Sequence, residues 1–212
     1  MLSYVPNKIL LGGRRCGSSN CHVATSELLS PDGSWRNYVN LPTVLSRHCL
    51  VRLNATHIFM MGGGVNSFHS GARSTAYIFD SVSTQWTPVA SMRTARYDHG
   101  CALLPDGRVV VTGGNGVDGG YLSSTEFFSF SSLAWTDGPD LPLGIARFGM
   151  DTIETETYTL GGSVGGFGRD TDVIYRLSQD RSAWIEAGRM NSERDFFGVL
   201  PINFEDCFGF SV

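Results

Sequence analysis

Residues 108–114 read RVVVTGG, an apolar run that ends in two glycines, and the chain continues as NGVDGG to residue 120. In this stretch, Gly114, Gly116 and Gly119 match the G-x-G-x-x-G pattern of a dinucleotide-binding turn. Such a turn needs a helix after the glycines, because the pyrophosphate is bound at a helix N-terminus. The residues that follow, YLSSTEFFSF, are aromatic or β-branched and have no helical period. The sequence therefore does not predict a nucleotide site.

The same apolar run ending in two glycines occurs four times along the chain. The first glycines of successive pairs are 48 to 51 residues apart, and a tryptophan follows each of them after 22 to 24 residues. The four glycine pairs are Gly12–Gly13, Gly62–Gly63, Gly113–Gly114 and Gly161–Gly162, and the four tryptophans are Trp35, Trp86, Trp135 and Trp184. The chain is therefore organised as repeats of about 50 residues.

Each repeat divides into four short strand signals. In the second repeat these are HCLVRL, HIFMMG, STAYIFD and QWTPV, with turn-forming segments between them. Four antiparallel strands per repeat of this length are typical of a β-propeller blade. The glycines are expected where the second strand ends in a crowded inner position, and the tryptophans are expected to pack one blade on the next. The sequence therefore predicts an all-β propeller of four-stranded antiparallel blades.

These marks resemble those of the kelch repeat family over essentially the whole chain. An aromatic residue seven positions before the tryptophan is a further mark, supplied by Phe79 and Phe128, whereas Leu28 and Leu177 replace it in the outer repeats. We interpret the chain as one kelch propeller region with repeats at about 1–41, 42–92, 93–141 and 142–190 and a half-blade at 191–212. Kelch propellers usually close with about six or seven blades, so the resemblance implies an incomplete propeller or a fragment. The alternatives are a distorted four-blade ring or two chains that combine, and open blade edges favour a homo-oligomer.

Composition excludes several classes of protein and leaves one imbalance. The formal net charge is −4, and of the 16 Lys and Arg residues only Lys8 is a lysine. Nothing in this balance predicts binding to nucleic acid or to a membrane, and the absence of a signal-peptide pattern favours a cytoplasmic location. The five cysteines lack metal-ligand spacing, so no metal is expected. Each cysteine is expected to be a buried or reduced thiol, with a Cys16–Cys21 bridge as the alternative. A glycosylation sequon, Asn54-Ala55-Thr56, falls in a tight hairpin.

Candidate binding residues collect at one end of the blades. Loops between second and third strands lie at the same end as the connections between blades, because neighbouring strands are antiparallel. An arginine recurs there at what we take to be one position, at the mouth of the central channel: Arg47, Arg96, Arg147 and Arg194. The same end receives His48, Asn66, Arg73, Arg93, Tyr97, His99, Asn115, Tyr121 and Arg169. The opposite end receives mainly acidic residues: Asp32, Asp106, Glu154, Glu156, Glu205 and Asp206.

Two roles fit the recurring arginine. It could brace the neighbouring blade through carbonyls or the carboxylates of Asp98 and Asp195, or it could bind acidic groups of a peptide, as the resemblance to kelch substrate receptors implies. We expect a non-catalytic binding platform without cofactors, and the resemblance suggests adaptor work in ubiquitin ligation or the cytoskeleton. The alternative is a carbohydrate-binding propeller or a copper enzyme, because RVVVTGGNG and LLPDG also resemble galactose oxidase. Its ligand candidates would be His48, Tyr97, His99 and Cys101, although the chain has no Tyr-His neighbour pair.

Overall fold

The computed structural model describes residues 8–14, 22–65, 71–165 and 169–199, and every regular element in these ranges is a β-strand. The prediction of an all-β fold made of antiparallel blades is confirmed. By contact density the chain divides into two compact units. The first unit comprises Met1–Tyr97 with Asn115–Gly119, and the second comprises Asp98–Gly114 with Gly120–Val212.

The first unit contains two blades. Blade 1 has three described strands, β1 (Lys8–Arg14), β2 (His22–Leu29) and β3 (Trp35–Asn37). Its expected first strand, LSYVP at residues 2–6, lies outside the described residues. Blade 2 is a four-stranded sheet in sequence order: β4 (Cys49–Arg52), β5 (His57–Met61), β6 (Ala76–Asp80) and β7 (Gln85–Val89).

The second unit contains blades 3 and 4 and a small three-stranded sheet. Blade 3 consists of β8 (Gly100–Leu103), β9 (Val109–Thr112), β10 (Thr125–Ser129) and β11 (Ala134–Asp137). The next strands are β12 (Ile145–Ala146), β13 (Gly149–Ile153), β14 (Glu156–Leu160), β15 (Ser163–Val164), β16 (Arg169–Asp170), β17 (Val173–Leu177) and β18 (Trp184–Arg189). Strands β13, β14, β17 and β18 form blade 4, whereas β12, β15 and β16 form the small sheet.

Each unit has a core built from the middle strands of its blades. In the second unit all four residues of β9 are buried, which fits a β-branched VVVT run in an interior strand. The core of this unit joins Val110 and Phe127 of blade 3 to Tyr175 and Trp184 of blade 4. In the first unit Leu41, Leu45 and Met60 are buried, and Trp86 packs against them.

The recurring tryptophans do not share one environment. In blades 2 and 3 the tryptophan lies directly opposite the aromatic residue seven positions before it: Phe79 faces Trp86, and Phe128 faces Trp135. The ring centroids of these pairs are 4.8 and 5.1 Å apart. Trp35 in blade 1 is instead 54% exposed, so the expected packing of every tryptophan between blades fails at this position.

A shift of register explains the exposure of Trp35. Trp35 pairs with Leu29 rather than with Leu28, the residue seven positions before it. A shift of one residue moves a side chain to the other face of a sheet. Trp35 consequently lies on the face of the exposed Glu27, whereas Leu28 is buried on the opposite face.

Candidate functional site

In the second, third and fourth glycine pairs, the second glycine is hydrogen-bonded to the segment that follows the last strand of the same blade. The N–H groups of Gly63, Gly114 and Gly162 donate to the carbonyl oxygens of Arg96, Ile145 and Arg194, and each N···O distance is 2.8 Å. The φ angle of Gly63 is 103°, in the left-handed region that other residues rarely adopt. A Cβ at this position would lie only 2.2 Å from Leu45 Cδ2. A repeating backbone contact therefore accounts for the second glycine without any ligand.

These contacts show that the four recurring arginines occupy two positions of the repeat rather than the single position expected from the sequence. Arg96 and Arg194 are equivalent to Ile145, because all three carbonyls accept the same glycine hydrogen bond. Arg47 and Arg147 lie two residues later in the repeat, where the backbone is left-handed with φ of 58° and 61°. The position of Arg47 and Arg147 is held in the remaining repeats by Asp98 (φ 53°) and Phe196 (φ 53°). The sequence contained this difference: six residues after each tryptophan lies a Leu or Met, and the arginine follows it by six residues in two repeats and by four in the other two.

Arg47 stacks on a buried aromatic ring in the first unit. Its guanidinium carbon lies 4.3 Å from the centroid of the Tyr97 ring, a cation–π distance. Tyr97 is 1% exposed, and its backbone exchanges two hydrogen bonds with Asn115, which is 2% exposed. The side chains of Tyr97 and Asn115 are therefore buried beneath the surface and are not accessible to a partner.

Arg147 is held by two carboxylates in the second unit. Its guanidinium nitrogens lie 3.7 Å from Asp98 Oδ2 and 3.7 Å from Asp195 Oδ2, and its guanidinium carbon lies 4.7 Å from the centroid of the Phe196 ring. Its backbone N–H also donates to the carbonyl of Asp98 at 2.8 Å. These contacts are the ones that the bracing role requires.

The remaining candidate residues differ in how accessible they are. Arg96 is completely buried and His99 is 8% exposed, whereas Arg194 is exposed. Burial lowers the pKa of His48 to about 4, since the imidazolium would lose its hydration there. Asn66 lies outside the described residues.

Two further arginines of the first unit are more accessible than Arg47 and Arg96, the recurring arginines of that unit. Arg73 and Arg93 are exposed, and Arg73 is bonded to Arg96 by a backbone hydrogen bond of 3.0 Å from the Arg96 N–H to the Arg73 carbonyl. Arg93 precedes Arg96 by three residues in the same segment. We call Arg47, Arg73 and Arg93 the arginine patch.

The opposite end of the blades is less acidic than the sequence suggested. In the second unit Asp106 pairs with Arg108 at 2.8 Å and with Arg181 at 2.6 Å. Glu156 accepts hydrogen bonds from the Tyr158 hydroxyl and from Arg176, and these two donors lower the pKa of its carboxyl. Arginines that pair with these acids reduce the charge difference between the two ends. Glu205 and Asp206 lie outside the described residues.

The residues named for the copper alternative do not fit a copper enzyme. Cys101 is disulfide-bonded, so its sulfur is not available for a cross-link to tyrosine. In the part of the chain that the structure describes, no three His, Cys, Asp or Glu side chains are grouped to hold a metal ion. Cys49 is also disulfide-bonded, which corrects the expectation of a thiol at both positions. Cys16 and Cys21 lie outside the described ranges.

None of the described segments forms a helix with the length and hydrophobicity that a membrane crossing requires. No family model matches the chain. The chain is therefore compared with individual proteins of similar sequence and with a solved structure of similar fold.

Several relatives carry the kelch name. Kelch-like protein 36 from Bos taurus is 34% identical over 170 residues, which are 79% of this chain and 27% of that protein. The F-box/kelch-repeat protein SKIP30 from Arabidopsis thaliana is 30% identical over 143 residues, 58% of this chain and 40% of that protein. A galactose oxidase from Gibberella zeae is 29% identical over 131 residues, 58% of this chain and 19% of that enzyme. The chain thus spans less than half the length of each of these relatives.

A solved structure titled "Structure of YjhT" has the same fold. It superposes with a TM-score of 0.67 at 15% sequence identity and covers 81% of this chain and 61% of that chain. Four repeats in phase, antiparallel four-stranded sheets and relatives with kelch repeats agree with one another. The chain therefore belongs to the kelch-repeat proteins, and its four-stranded sheets are blades of a kelch-type β-propeller.

Proposed function

We propose that this chain is a non-catalytic platform that binds an acidic segment of another protein through the arginine patch. The observation that supports the proposal is that backbone bridges bring the segments carrying Arg47, Arg73 and Arg93 together in the first unit. Arg47 stacks on Tyr97, and Arg73 is tied to the backbone of Arg96, so the patch rests on a buried and bonded base. Guanidinium groups bind carboxylates in a planar two-point geometry that ammonium groups cannot reproduce. The preference for arginine over lysine in this chain agrees with such a role.

We further propose that the chain acts as part of an adaptor, in which the kelch repeats would present a bound protein to a larger assembly. The kelch names of the relatives support this assignment, and the fold by itself does not fix it. A second copy of the chain, held through blade edges, is the other protein partner that we expect. Light scattering of the purified protein would show a dimeric mass if blade edges pair.

Binding to a labelled peptide tests the platform. The probe is a peptide of alternating glutamate and serine, and its control has glutamine for glutamate. The double variant Arg73→Ala/Arg93→Ala should bind the acidic peptide at least tenfold more weakly, roughly 1.4 kcal/mol, with an unchanged melting temperature. The matched variant Arg36→Ala/Arg52→Ala removes two exposed arginines of the same unit from outside the patch and should bind as the wild type does.

Equal loss of binding in both double variants would show that only total charge matters, and the proposal would be wrong. Absence of binding by the wild-type protein would also reject it.

The competing hypothesis is that the chain is an enzyme, and metal analysis of the purified protein tests whether it is a copper enzyme. Stoichiometric copper would favour the enzyme against the platform.

The disulfides weigh against the cytoplasmic location that the sequence predicted. Disulfides are rare in the cytosol of most organisms, and Cys49 and Cys101 are both disulfide-bonded. The binding proposal does not depend on the compartment.

A further inference from the structure

The hairpin between β4 and β5 presents a glycosylation sequon at its tip. Asn54, Ala55 and Thr56 form the N-x-Thr pattern, and Asn54 and Ala55 are exposed. The N–H of Leu53 donates to the carbonyl of His57 at 3.0 Å and closes the hairpin around the three residues. The sequon is thus on the surface of a well-formed blade.

The carboxamide of Asn54 is fixed through its oxygen. Asn54 Oδ1 accepts hydrogen bonds from the Thr56 N–H at 2.8 Å, from the His57 N–H at 2.9 Å and from the Thr56 hydroxyl at 3.2 Å. Asn54 Nδ2 has no hydrogen-bond partner among the residues that the structure describes. The nitrogen, which is the atom that glycosylation modifies, is therefore the end left to solvent.

The cysteines supply an independent observation. Cys49 lies on β4, the strand that leads into this hairpin, and both Cys49 and Cys101 are disulfide-bonded. Protein disulfides form and persist mainly in the secretory pathway or outside the cell. N-linked glycans are added to Asn-x-Ser/Thr sequences of secreted proteins, so the two observations indicate the same compartment.

We propose that Asn54 carries an N-linked glycan and that this chain matures in an oxidising, secretory compartment. The donor is an oligosaccharide linked to a lipid pyrophosphate. A bond forms between Asn54 Nδ2 and the anomeric carbon of the sugar, while the bond from that carbon to the pyrophosphate oxygen breaks. The lipid pyrophosphate leaves, and the proton lost from Nδ2 goes to a base of the transferase.

A glycan at Asn54 leaves the arginine patch accessible. The hairpin follows β4 and precedes β5, whereas Arg73 follows β5, so Asn54 and Arg73 lie at opposite ends of that strand. The glycan would therefore mark the end of blade 2 that the proposed partner does not contact. Failure of either proposal leaves the other standing.

Mass spectrometry of the protein isolated from its source tests the modification. Peptide-N-glycosidase in ¹⁸O-water converts a glycosylated asparagine to aspartate that carries the heavy oxygen. Trypsin then releases residues 53–73, which follow Arg52 and end at Arg73. We expect heavy aspartate at position 54, and recovery of this peptide only with unmodified Asn54 would overturn the proposal.

Expression through a eukaryotic secretory pathway gives a second test that uses conservative variants. The wild type and Thr56→Ser, which keeps the sequon, should lose apparent mass on enzyme treatment, whereas Thr56→Val should not. No change in the wild type or in Thr56→Ser would also overturn the proposal. Comparison of treated and untreated wild type needs no variant to fold.

Discussion

At the residue scale, an arginine with left-handed backbone precedes the first strand of blade 2 and of blade 4, and these two arginines make different contacts. Arg47 lies over the buried Tyr97, and Arg147 lies between Asp98 and Asp195. A carboxylate on each side satisfies a guanidinium and occupies the directions from which an acidic ligand would approach. We therefore expect Arg147 to act as a bracing residue, and we propose the arginine patch of the first unit, where Arg73 and Arg93 are exposed, as the binding surface.

The bracing role predicts that Arg147→Ala lowers stability without affecting peptide binding. Loss of the partly exposed ion pairs and of the stacking on Phe196 should cost about 1–2 kcal/mol of unfolding free energy. Urea unfolding measures the cost, and the acidic peptide measures the binding. Arg189→Ala is the control, since Arg189 is an exposed arginine that pairs with Asp172 in the same unit. If Arg147→Ala weakens peptide binding at unchanged stability, Arg147 belongs to the binding surface.

Burial of His48 predicts a dependence of stability on pH. Its pKa is about 4 in the folded protein against 6.5 for the ordinary side chain, because burial disfavours the charged form. Between pH 6.5 and 4 the unfolded chain therefore binds a proton that the folded chain does not, and stability falls as the pH falls. The loss between pH 6.5 and 5.5 should be about 1 kcal/mol.

The substitution His48→Phe should remove this slope. Phe148 holds the corresponding position in blade 4, so an aromatic ring suits the position. Urea unfolding at pH 6.5 and 5.5 measures the slope, with His57→Gln as the control that keeps it. An unchanged slope in His48→Phe would mean that His48 is not the group responsible.

At the element scale, the repeats predicted the strands and blades but not the register within each blade. The glycine pairs and the tryptophan spacing located the second and fourth strands, and these assignments are confirmed. The pairing of Trp35 with Leu29 could not be read from that spacing, because Leu28 precedes Trp35 by the same seven residues as Phe79 precedes Trp86. The turn decides the register, and a turn closed by Asp32 and Ser34 is a local geometry that the repeat pattern does not encode.

The same limit applies to the candidate site. The sequence predicted which end of a blade collects arginines, yet Arg96 is completely buried and Arg73 is exposed. A backbone bridge joins Arg73 to Arg96, which are more than 20 residues apart in the sequence. Sequence spacing carries no information about such a contact.

The difference in register predicts unequal effects of truncating the tryptophans. Trp184 is 5% exposed, and its indole N–H donates to Thr125 Oγ1 at 3.1 Å, so it joins blade 4 to blade 3. Trp184→Ala should lower the unfolding free energy by about 3–5 kcal/mol, whereas Trp35→Ala should cost less than about 1 kcal/mol. Chemical denaturation of the two variants measures this difference. Similar costs would show that Trp35 is buried in solution.

At the scale of the whole molecule, a negative net charge coexists with a basic patch. The formal net charge of −4 would repel an acidic peptide from a distance, whereas the arginine patch would attract it at contact. Salt screens the two effects differently, because the screening length falls from about 30 Å at 0.01 M to about 8 Å at 0.15 M and about 3 Å at 1 M. Ionic strength can therefore separate long-range repulsion from local attraction.

This separation predicts that binding of the acidic peptide passes through a maximum as salt increases. Between about 0.01 and 0.15 M, salt should screen the net repulsion and raise the association rate, and towards 1 M it should also screen the patch and weaken binding. Stopped-flow fluorescence with the glutamate–serine peptide measures the rates, and the glutamine peptide should show no such maximum. A rate that falls steadily from the lowest salt would mean that the field around the binding surface is already positive at long range. Attraction would then come from a wider basic surface than Arg47, Arg73 and Arg93 provide.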